Sequence, residues 1–324
     1  MRVFQNANYP FMHWRRRAYV VTALLFLAGF AAMGMNIARS GSWVNYGVDF
    51  TGGTLVQVKF QRPVTVDQIR DAARAAGHNE WEITRFGTGN EYTVRMPSFR
   101  ETQQETSQGR VLNALNPAFG NDVQVVRTEA VGPKVGDELQ RNALIAILLS
   151  LLATLAYLAV RFEWRFGLAA IAATAHDLTI TLGIIALLRT EVNLGTVAAL
   201  LTVVGYSLND TIVVFDRIRE NLAKPRHGAS FTEILNRSIN ETLPRTVLTG
   251  GSTMGTLLAL LIFGGPVIRD FALVLILGIF IGTFSSIFVA SPVLNAITAR
   301  WPHRAPTREQ AVRSASRNRE TVRT

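Results

Sequence analysis

The chain has 324 residues, of which 48% are hydrophobic and only 17% are charged. This composition excludes an ordinary soluble domain, while the charged residues exclude a chain that lies wholly in lipid. The formal net charge of +10 has two possible origins, a nucleic-acid partner or membrane topology. The absence of cysteine excludes disulfide bonds and thiol chemistry.

Six apolar stretches are long enough to cross a bilayer as helices, which takes about 20 residues each. The first follows three arginines, as a signal peptide would. Its apolar run is too long for one, however, and no good small-residue cleavage pattern follows, so we interpret it as a retained span. The predicted spans are residues 18–37, 139–160, 167–188, 194–215, 246–263 and 271–296.

The segment between the first two spans, residues 38–138, has the pattern of a folded domain. The runs TLVQVKF, EWEITRF, EYTVRM and DVQVVRTEAV predict four strands, and VTVDQIRDAARAAG and QGRVLNALNPAFG predict two helices. The order strand, helix, strand, strand, helix, strand predicts a ferredoxin-like fold. We therefore expect a polytopic α-helical membrane protein with six transmembrane helices and a ferredoxin-like α+β external, periplasmic domain.

Lysine and arginine indicate the orientation, because the cytoplasmic segments of membrane proteins are enriched in them. A cytoplasmic N-terminus places the whole positive excess on that side, in residues 1–17, 161–166, 216–245 and 297–324. The charges of residues 38–138 nearly cancel. Topology and anionic inner-leaflet lipid thus account for the net charge, and we expect both termini in the cytoplasm and no nucleic-acid partner.

Two patterns concern helix packing. The apolar residues of FTEILNRSINETL, residues 231–243, recur at helical spacing and predict an amphipathic helix on the inner membrane surface. Gly251 and Gly255 in the fifth span, and Gly278 and Gly282 in the sixth, form GxxxG faces that allow close approach of helices.

Motifs for covalent chemistry are missing from the sequence. It contains no Cys/His cluster with metal spacing, no Ser/His/Asp arrangement and no phosphate-binding loop. His78 in the external segment has no neighbouring ligand and is interpreted as a surface residue. We therefore expect no metal, no bound cofactor and no enzymatic activity.

Asp210 is the first candidate functional residue. It lies near the end of the fourth span, where an ionised carboxylate costs roughly 3 kcal/mol on insertion scales. Its charge must be removed by protonation or held by a cation such as Arg245, which begins the fifth span. We interpret Asp210 as a proton relay assisted by Ser207 and Asn209; the alternative is a hydrogen-bonding contact between helices.

Asp177 is a second candidate. It lies about ten residues into the third span, near the midplane, so the two acids are almost equal on physical grounds. His176 beside it points to a different helix face, where it suits a helix contact as well as proton transfer. Asp216 is interpreted as an interfacial charge at the end of the fourth helix.

Several motifs together resemble the SecD/SecF family of bacterial protein-export membrane proteins, within the resistance-nodulation-division superfamily. The motifs are NYGVDFTGG at the exit of the first span, containing Asp49, Gly52 and Gly53, and VGPKVGDELQRNA, AHDLTITLG, GYSLNDTIVVFDRIREN and LPRTVLTGGST. The similarity extends from about Asn45 to Leu294, and the fourth-span motif is long enough to be highly specific.

This resemblance implies a subunit that pairs with SecD in the bacterial inner membrane to form a twelve-span unit. Members of the family use the proton-motive force to complete the translocation of an unfolded preprotein that the SecYEG channel and SecA have started. The other expected partner is membrane lipid. The family's functional acid falls on Asp210 and its functional arginine on Arg245, so the resemblance favours Asp210 over Asp177.

Two other functions are alternatives. A proton-driven small-molecule exporter of the same superfamily also needs intramembrane acids, but such exporters usually carry both halves and much larger external domains in one chain. A structural membrane scaffold would tolerate a neutral residue at Asp210 and would not depend on the proton-motive force.

Overall fold

The computed structural model describes residue 4 and residues 7–86, 89–97, 106–224 and 230–301. Of the segments expected in the cytoplasm, residues 1–3, 5–6, 225–229 and 302–324 lie outside these ranges. The described helices are α1 (Phe11–Ser40), α2 (Val48–Thr51), α3 (Val66–Ala75), α4 (Ser107–Phe119), α5 (Pro133–Arg161), α6 (Trp164–Leu188), α7 (Leu194–Ala223), α8 (Phe231–Phe263), α9 (Gly265–Ser285) and α10 (Ser291–Arg300). The described strands are β1 (Asn45–Tyr46), β2 (Gly53–Phe60), β3 (Glu82–Phe86), β4 (Glu91–Met96), β5 (Val123–Val131) and β6 (Glu191–Val192).

Six helices of the described chain are long and apolar enough to cross a membrane. They are α1, α5, α6, α7, α8 and a sixth helix that consists of α9, a π-helical turn at Ser286–Ala290, and α10. Each of them contains one of the stretches that the sequence predicts as a span. The six-span architecture is therefore confirmed.

The spanning helices divide into an inner and an outer set. More than half of the most apolar stretch is buried in α6, α7 and the sixth helix, at 56%, 56% and 61%. The corresponding values for α1, α5 and α8 are only 17%, 6% and 11%. The outer helices therefore present their apolar side chains to lipid or to another subunit, while polar groups on the inner helices are removed from both.

Residues 53–131 contain the external domain, a four-stranded antiparallel sheet in the order β3-β4-β2-β5 with α3 and α4 packed on one face. Tyr92, Phe60 and Leu115 in its core are at most 1% exposed. Thr65 and Thr106 cap α3 and α4 by accepting a hydrogen bond from the N–H three residues further on. The predicted ferredoxin-like fold is confirmed.

The segment 216–245 differs from the expected surface helix. Its first part continues α7, and its second part opens α8, which runs without a break into the fifth span. Leu235, Ile239 and Leu243 are buried at the spacing that the sequence predicts, but within the helix bundle rather than at a lipid surface. Pro244 lies inside α8 without ending it, as membrane helices tolerate when neighbouring groups satisfy the freed carbonyl.

The two GxxxG faces have different surroundings. A Cβ atom built on Gly278 would lie 2.2 Å from Val203 Cγ2, and one on Gly282 would lie 2.8 Å from Ser207 Cβ, so the sixth helix packs directly against α7 there. Gly251 and Gly255 on α8 have nothing within 4 Å of such an atom among the described residues. Close packing is therefore observed for the sixth span but not for the fifth.

Candidate functional site

Asp210 lies on the inner side of α7 and is 6% exposed. Its Oδ1 accepts a hydrogen bond of 3.0 Å from Thr246 Oγ1 on α8. Its Oδ2 lies 3.4 Å from Ser286 Oγ, which belongs to the π-helical turn of the sixth helix. One carboxylate thus joins three spanning helices.

The two donors to Asp210 differ in strength. Ser286 Oγ also lies 2.9 Å from the carbonyl oxygen of Thr283, and a hydroxyl has a single proton to donate. The shorter contact to the carbonyl competes with the contact of 3.4 Å to Asp210. Thr246 is therefore the firm donor to Asp210, and the second carboxylate oxygen is weakly held.

Arg245 does not pair with Asp210 in the described part of the chain, where no arginine or lysine nitrogen lies within 4.0 Å of this carboxylate. Successive residues of a helix are about 100° apart around its axis, so Thr246 faces α7 while Arg245 is exposed. Asn209 is also exposed, for the same geometric reason.

Asp177 forms a second polar site on α6 and is 1% exposed. Its Oδ2 accepts a hydrogen bond of 2.5 Å from Ser207 Oγ on α7, and its Oδ1 lies 2.8 Å from Nδ1 of His176. The Nε2 atom of His176 is buried and has no hydrogen-bond partner among the described residues. Because the carboxylate bridges serine and histidine, the histidine has no contact through which to activate the serine as a nucleophile.

Ser207 therefore serves Asp177 and not Asp210, contrary to the expectation that it assists Asp210. Ser207 and Asp210 are three residues apart on α7, so Asp177 is bonded to this helix about one turn away from Asp210. Thr246 and Ser286, the donors that the structure assigns to Asp210, are absent from the predicted set. Thr246 follows Arg245 in the LPRTVLTGGST motif, whereas nothing in the sequence marks Ser286.

The charged end of the fourth-span motif holds α7 to α8. Glu241 on α8 accepts hydrogen bonds of 2.7 Å from Arg217 Nε, 2.8 Å from Asn221 Nδ2 and 2.6 Å from Arg237 Nε. Asp216, in contrast, has a side chain that is 61% exposed, as suits the predicted interfacial charge. The role of Glu241 was not visible in the sequence, since its partners on α7 lie 20 and 24 positions away.

The predicted motif residues Asp49, Gly52 and Gly53 lie at the other end of α7. Asp49 Oδ2 accepts a hydrogen bond of 2.9 Å from the N–H of Leu194, the first residue of α7. Gly52 and Gly53 have φ of 68° and 115°, values that a residue with a Cβ rarely adopts. Since 16 residues of helix rise roughly 24 Å, these residues do not contact Asp210.

These features define a class: a six-span membrane protein with a ferredoxin-like external domain and two buried carboxylates at the contacts between its spanning helices. Residues 111–300 match the family described as protein export membrane protein SecD/SecF, C-terminal, and residues 41–64 match the SecD/SecF GG motif. The chain belongs to the SecD/SecF family of protein-export membrane proteins.

Two curated relatives show the extent of the similarity. The protein translocase subunit SecF of Gemmatimonas aurantiaca is 48% identical, over 93% of this chain and 91% of the relative. The protein translocase subunit SecF of Escherichia coli O157:H7 is 42% identical, over 91% of this chain and 90% of the relative. The similarity therefore extends over almost the whole length of these relatives.

A solved structure shows the same architecture within a larger chain. The crystal structure of SecDF, a translocon-associated membrane protein from Thermus thermophilus, matches 93% of this chain with a TM-score of 0.78 and 41% sequence identity. This chain covers only 40% of that one. In Thermus thermophilus, a polypeptide like this chain is thus joined to a further and larger segment.

Proposed function

We propose that the chain is the SecF-like half of a SecD–SecF complex and that Asp210 couples the proton-motive force to the completion of preprotein translocation. The membership in a family of protein-export membrane proteins supports the transport role. The observation that carries the proposal is the burial of Asp210 between three spanning helices with one firm hydrogen-bond donor and no ion pair in the described chain.

The arrangement of Asp210 allows two states of the bundle. The ionised carboxylate needs donors in a membrane interior, and it draws Thr246 of α8 and Ser286 of the sixth helix towards α7. The protonated acid has no net charge and needs fewer donors, so the same contacts become less valuable. Binding and release of one proton therefore shift the equilibrium between two packings of α7, α8 and the sixth helix.

Arg245 has a place in this proposal through its exposure. Arg245 lies on the outer helix α8, next to the residue that bonds Asp210. Its positive charge has no acidic partner within the described chain. A second membrane half packed on that side would give it an acidic partner and would cover the open Gly251 and Gly255 face. The fused SecDF relative, which contains the additional segment in one chain, supports SecD as that half.

The remaining parts of the proposal follow from the family. The complex lies in the bacterial inner membrane with both termini of this chain in the cytoplasm, and it acts on preprotein that SecYEG and SecA have engaged. The energy comes from the proton gradient, without a cofactor and without covalent chemistry on the substrate. At 100 mV, the movement of one proton across the membrane supplies about 2.3 kcal/mol.

The experiment measures how much of a stalled preprotein completes its translocation into membrane vesicles that contain the assembled complex. It is done with and without a proton-motive force. We expect Asp210→Asn to abolish the force-dependent component at unchanged protein abundance, because asparagine keeps an acceptor for Thr246 but cannot exchange a proton. Asp216→Asn is the matched control, since it removes an exposed carboxylate six residues further along α7.

Two results would contradict the proposal. Force-dependent export that is unchanged in Asp210→Asn would assign the carboxylate to helix packing alone. An equal loss in Asp216→Asn would show that the effect reflects the charge of this helix rather than proton exchange at Asp210.

A further inference from the structure

The helix that carries Asp210 begins directly beneath the external domain. We call the contact region the domain joint and define it as residues 45–53 together with residues 191–194. Residues 45–53 contain β1, α2 and the first residue of β2, and residues 191–194 contain β6 and the start of α7. The joint therefore connects the sheet of the external domain to one end of α7.

Backbone pairing forms the first part of the joint. Strands β1 and β6 run parallel, with Tyr46 opposite Val192, and the N–H of Gly47 donates a hydrogen bond of 2.8 Å to the carbonyl oxygen of Val192. A Cβ atom on Gly47 would lie 3.2 Å from the carbonyl oxygen of Val192, so a side chain there would push the two segments slightly apart. Residues before the external domain are thus paired with the loop that precedes α7.

Asp49 forms the second part of the joint. The first N–H groups of a helix have no partner within the helix, and the helix dipole favours a negative charge at that end. Asn193 satisfies the N–H of Thr196 at 2.9 Å, and Asp49 Oδ2 accepts from the N–H of Leu194 at 2.9 Å. One cap comes from the neighbouring residue, while the other comes from a segment 145 residues earlier in the chain.

The external domain holds the joint from its other side. Gly53 is the first residue of β2, and a Cβ atom there would lie 2.7 Å from the carbonyl oxygen of Met96 on β4. Arg95 of β4 donates a hydrogen bond of 2.8 Å to Glu191 Oε1, and the two side chains are 20% and 24% exposed. The sheet is therefore connected to β6 in two ways, through the side chain of Arg95 and through the backbone segment that leads from β1 into β2.

We propose that Asp49 is a positioning residue that fixes the first turn of α7 to the external domain, so that this domain and the helix carrying Asp210 move as one body. This inference rests on the proposed function of Asp210. It gives the glycine motif a mechanical role, because Gly52 and Gly53 turn the chain from Asp49 into the sheet.

A disulfide across the joint tests whether it stays closed during transport. The chain contains no cysteine, so Tyr46→Cys with Val192→Cys introduces a single possible pair. Neighbouring strands lie about 4.8 Å apart, within the Cα separation of roughly 4.4–6.8 Å that a disulfide spans. We expect the oxidised complex to keep the force-dependent export of its own reduced form. A pair that does not oxidise, or export lost on oxidation and restored by a reductant, would overturn the proposal.

Substitutions at Asp49 test whether the cap is needed. We expect Asp49→Ala to lower the force-dependent export rate about fivefold, the factor that corresponds to the roughly 1 kcal/mol that loss of an N-terminal cap typically costs. Asp49→Asn should retain most of the rate, because its amide oxygen still accepts from Leu194. Asp71→Ala is the matched control, since Asp71 is an exposed acid of α3 that lies outside the joint.

The Asp49 outcomes are separate from those of the proposed function. Loss of force-dependent export in Asp210→Asn, together with wild-type export in Asp49→Ala, would overturn the proposed role of Asp49 in the domain joint. The role of Asp210 would remain intact. A loss in Asp49→Asn as large as in Asp49→Ala would also overturn it, because the acceptor oxygen would then not be the group that acts. If Asp210→Asn exports normally, the proposed function itself fails.

Discussion

Asp210 and Asp177 are both buried carboxylates, one on α7 and the other bonded to α7 through Ser207, yet their surroundings differ. Asp177 has partners at 2.5 and 2.8 Å, one on α7 and one on its own helix. Asp210 has partners at 3.0 and 3.4 Å on two other helices, and the second of these is shared with a carbonyl oxygen. A tightly bonded carboxylate fixes two helices, whereas a loosely bonded one among three helices can change its partners.

The most direct test of this difference is to remove Asp177, the carboxylate to which we give a purely structural role. Asp177→Ala leaves Ser207 Oγ and His176 Nδ1 buried without an acceptor, so we expect it to lower the free energy of unfolding by about 3 kcal/mol. The thermal melting of the purified protein in detergent measures this loss. Asp210→Asn is the comparison variant and should melt close to the wild type. A larger loss in Asp210→Asn than in Asp177→Ala would reverse the two roles.

The second prediction concerns the packing that keeps Ser207 on Asp177. In Gly282→Ala the new Cβ would lie 2.8 Å from Ser207 Cβ and 3.0 Å from its Oγ, so either the serine or the sixth helix must move. We expect a loss of about 2 kcal/mol, the typical result of overpacking. Melting of the isolated chain is the measurement.

Gly255→Ala is the matched control for that prediction, because its Cβ would meet nothing within 4 Å in the described chain. It should melt at or slightly above the wild-type temperature, since alanine favours helix more than glycine does. Equal losses in both glycine variants would show that helix backbone properties, and not the contact with Ser207, decide the result.

The sequence predicts much of this architecture because its signals are local. Hydropathy shows the six spans, and the order of strands and helices shows the fold of the external domain. The intramembrane cost of a carboxylate singles out Asp210 and Asp177 without any structural information. These features depend on the composition of each segment and on the spacing of its apolar residues, and both can be read without knowing the rest of the fold.

The partners of the two acids were less predictable because helix rotation decides them. Ser207 shares a face with Asp210, and yet the approach of Gly282 and the position of α6 direct it to Asp177. Arg245 precedes the true donor by one residue and is therefore turned outward. Ser286 reaches Asp210 from a π-helical turn, which no hydrophobic period reveals.

The smallest expected effect concerns Glu241, which lies on α8 like Thr246, the donor to Asp210. Glu241 lies five residues before Thr246 on α8 and holds that helix to α7 through Arg217 and Asn221. Glu241→Gln keeps one acceptor oxygen but loses the charge that strengthens the arginine contacts. We expect a loss of about 1 kcal/mol in melting experiments, smaller still at high salt, because these groups are partly exposed and screened.

Force-dependent export should fall in Glu241→Gln more than this loss of stability explains, because a looser α8 weakens the contact from Thr246 to Asp210. Glu220→Gln provides the control, since Glu220 is more exposed and also bonds Arg217 but does not reach α8. Its export should equal that of the wild type. If both variants lose export equally, the charge balance around Arg217 is responsible, and the α7–α8 contact does not support Asp210. If Glu241→Gln loses stability but no export, the Thr246 contact forms independently of this network.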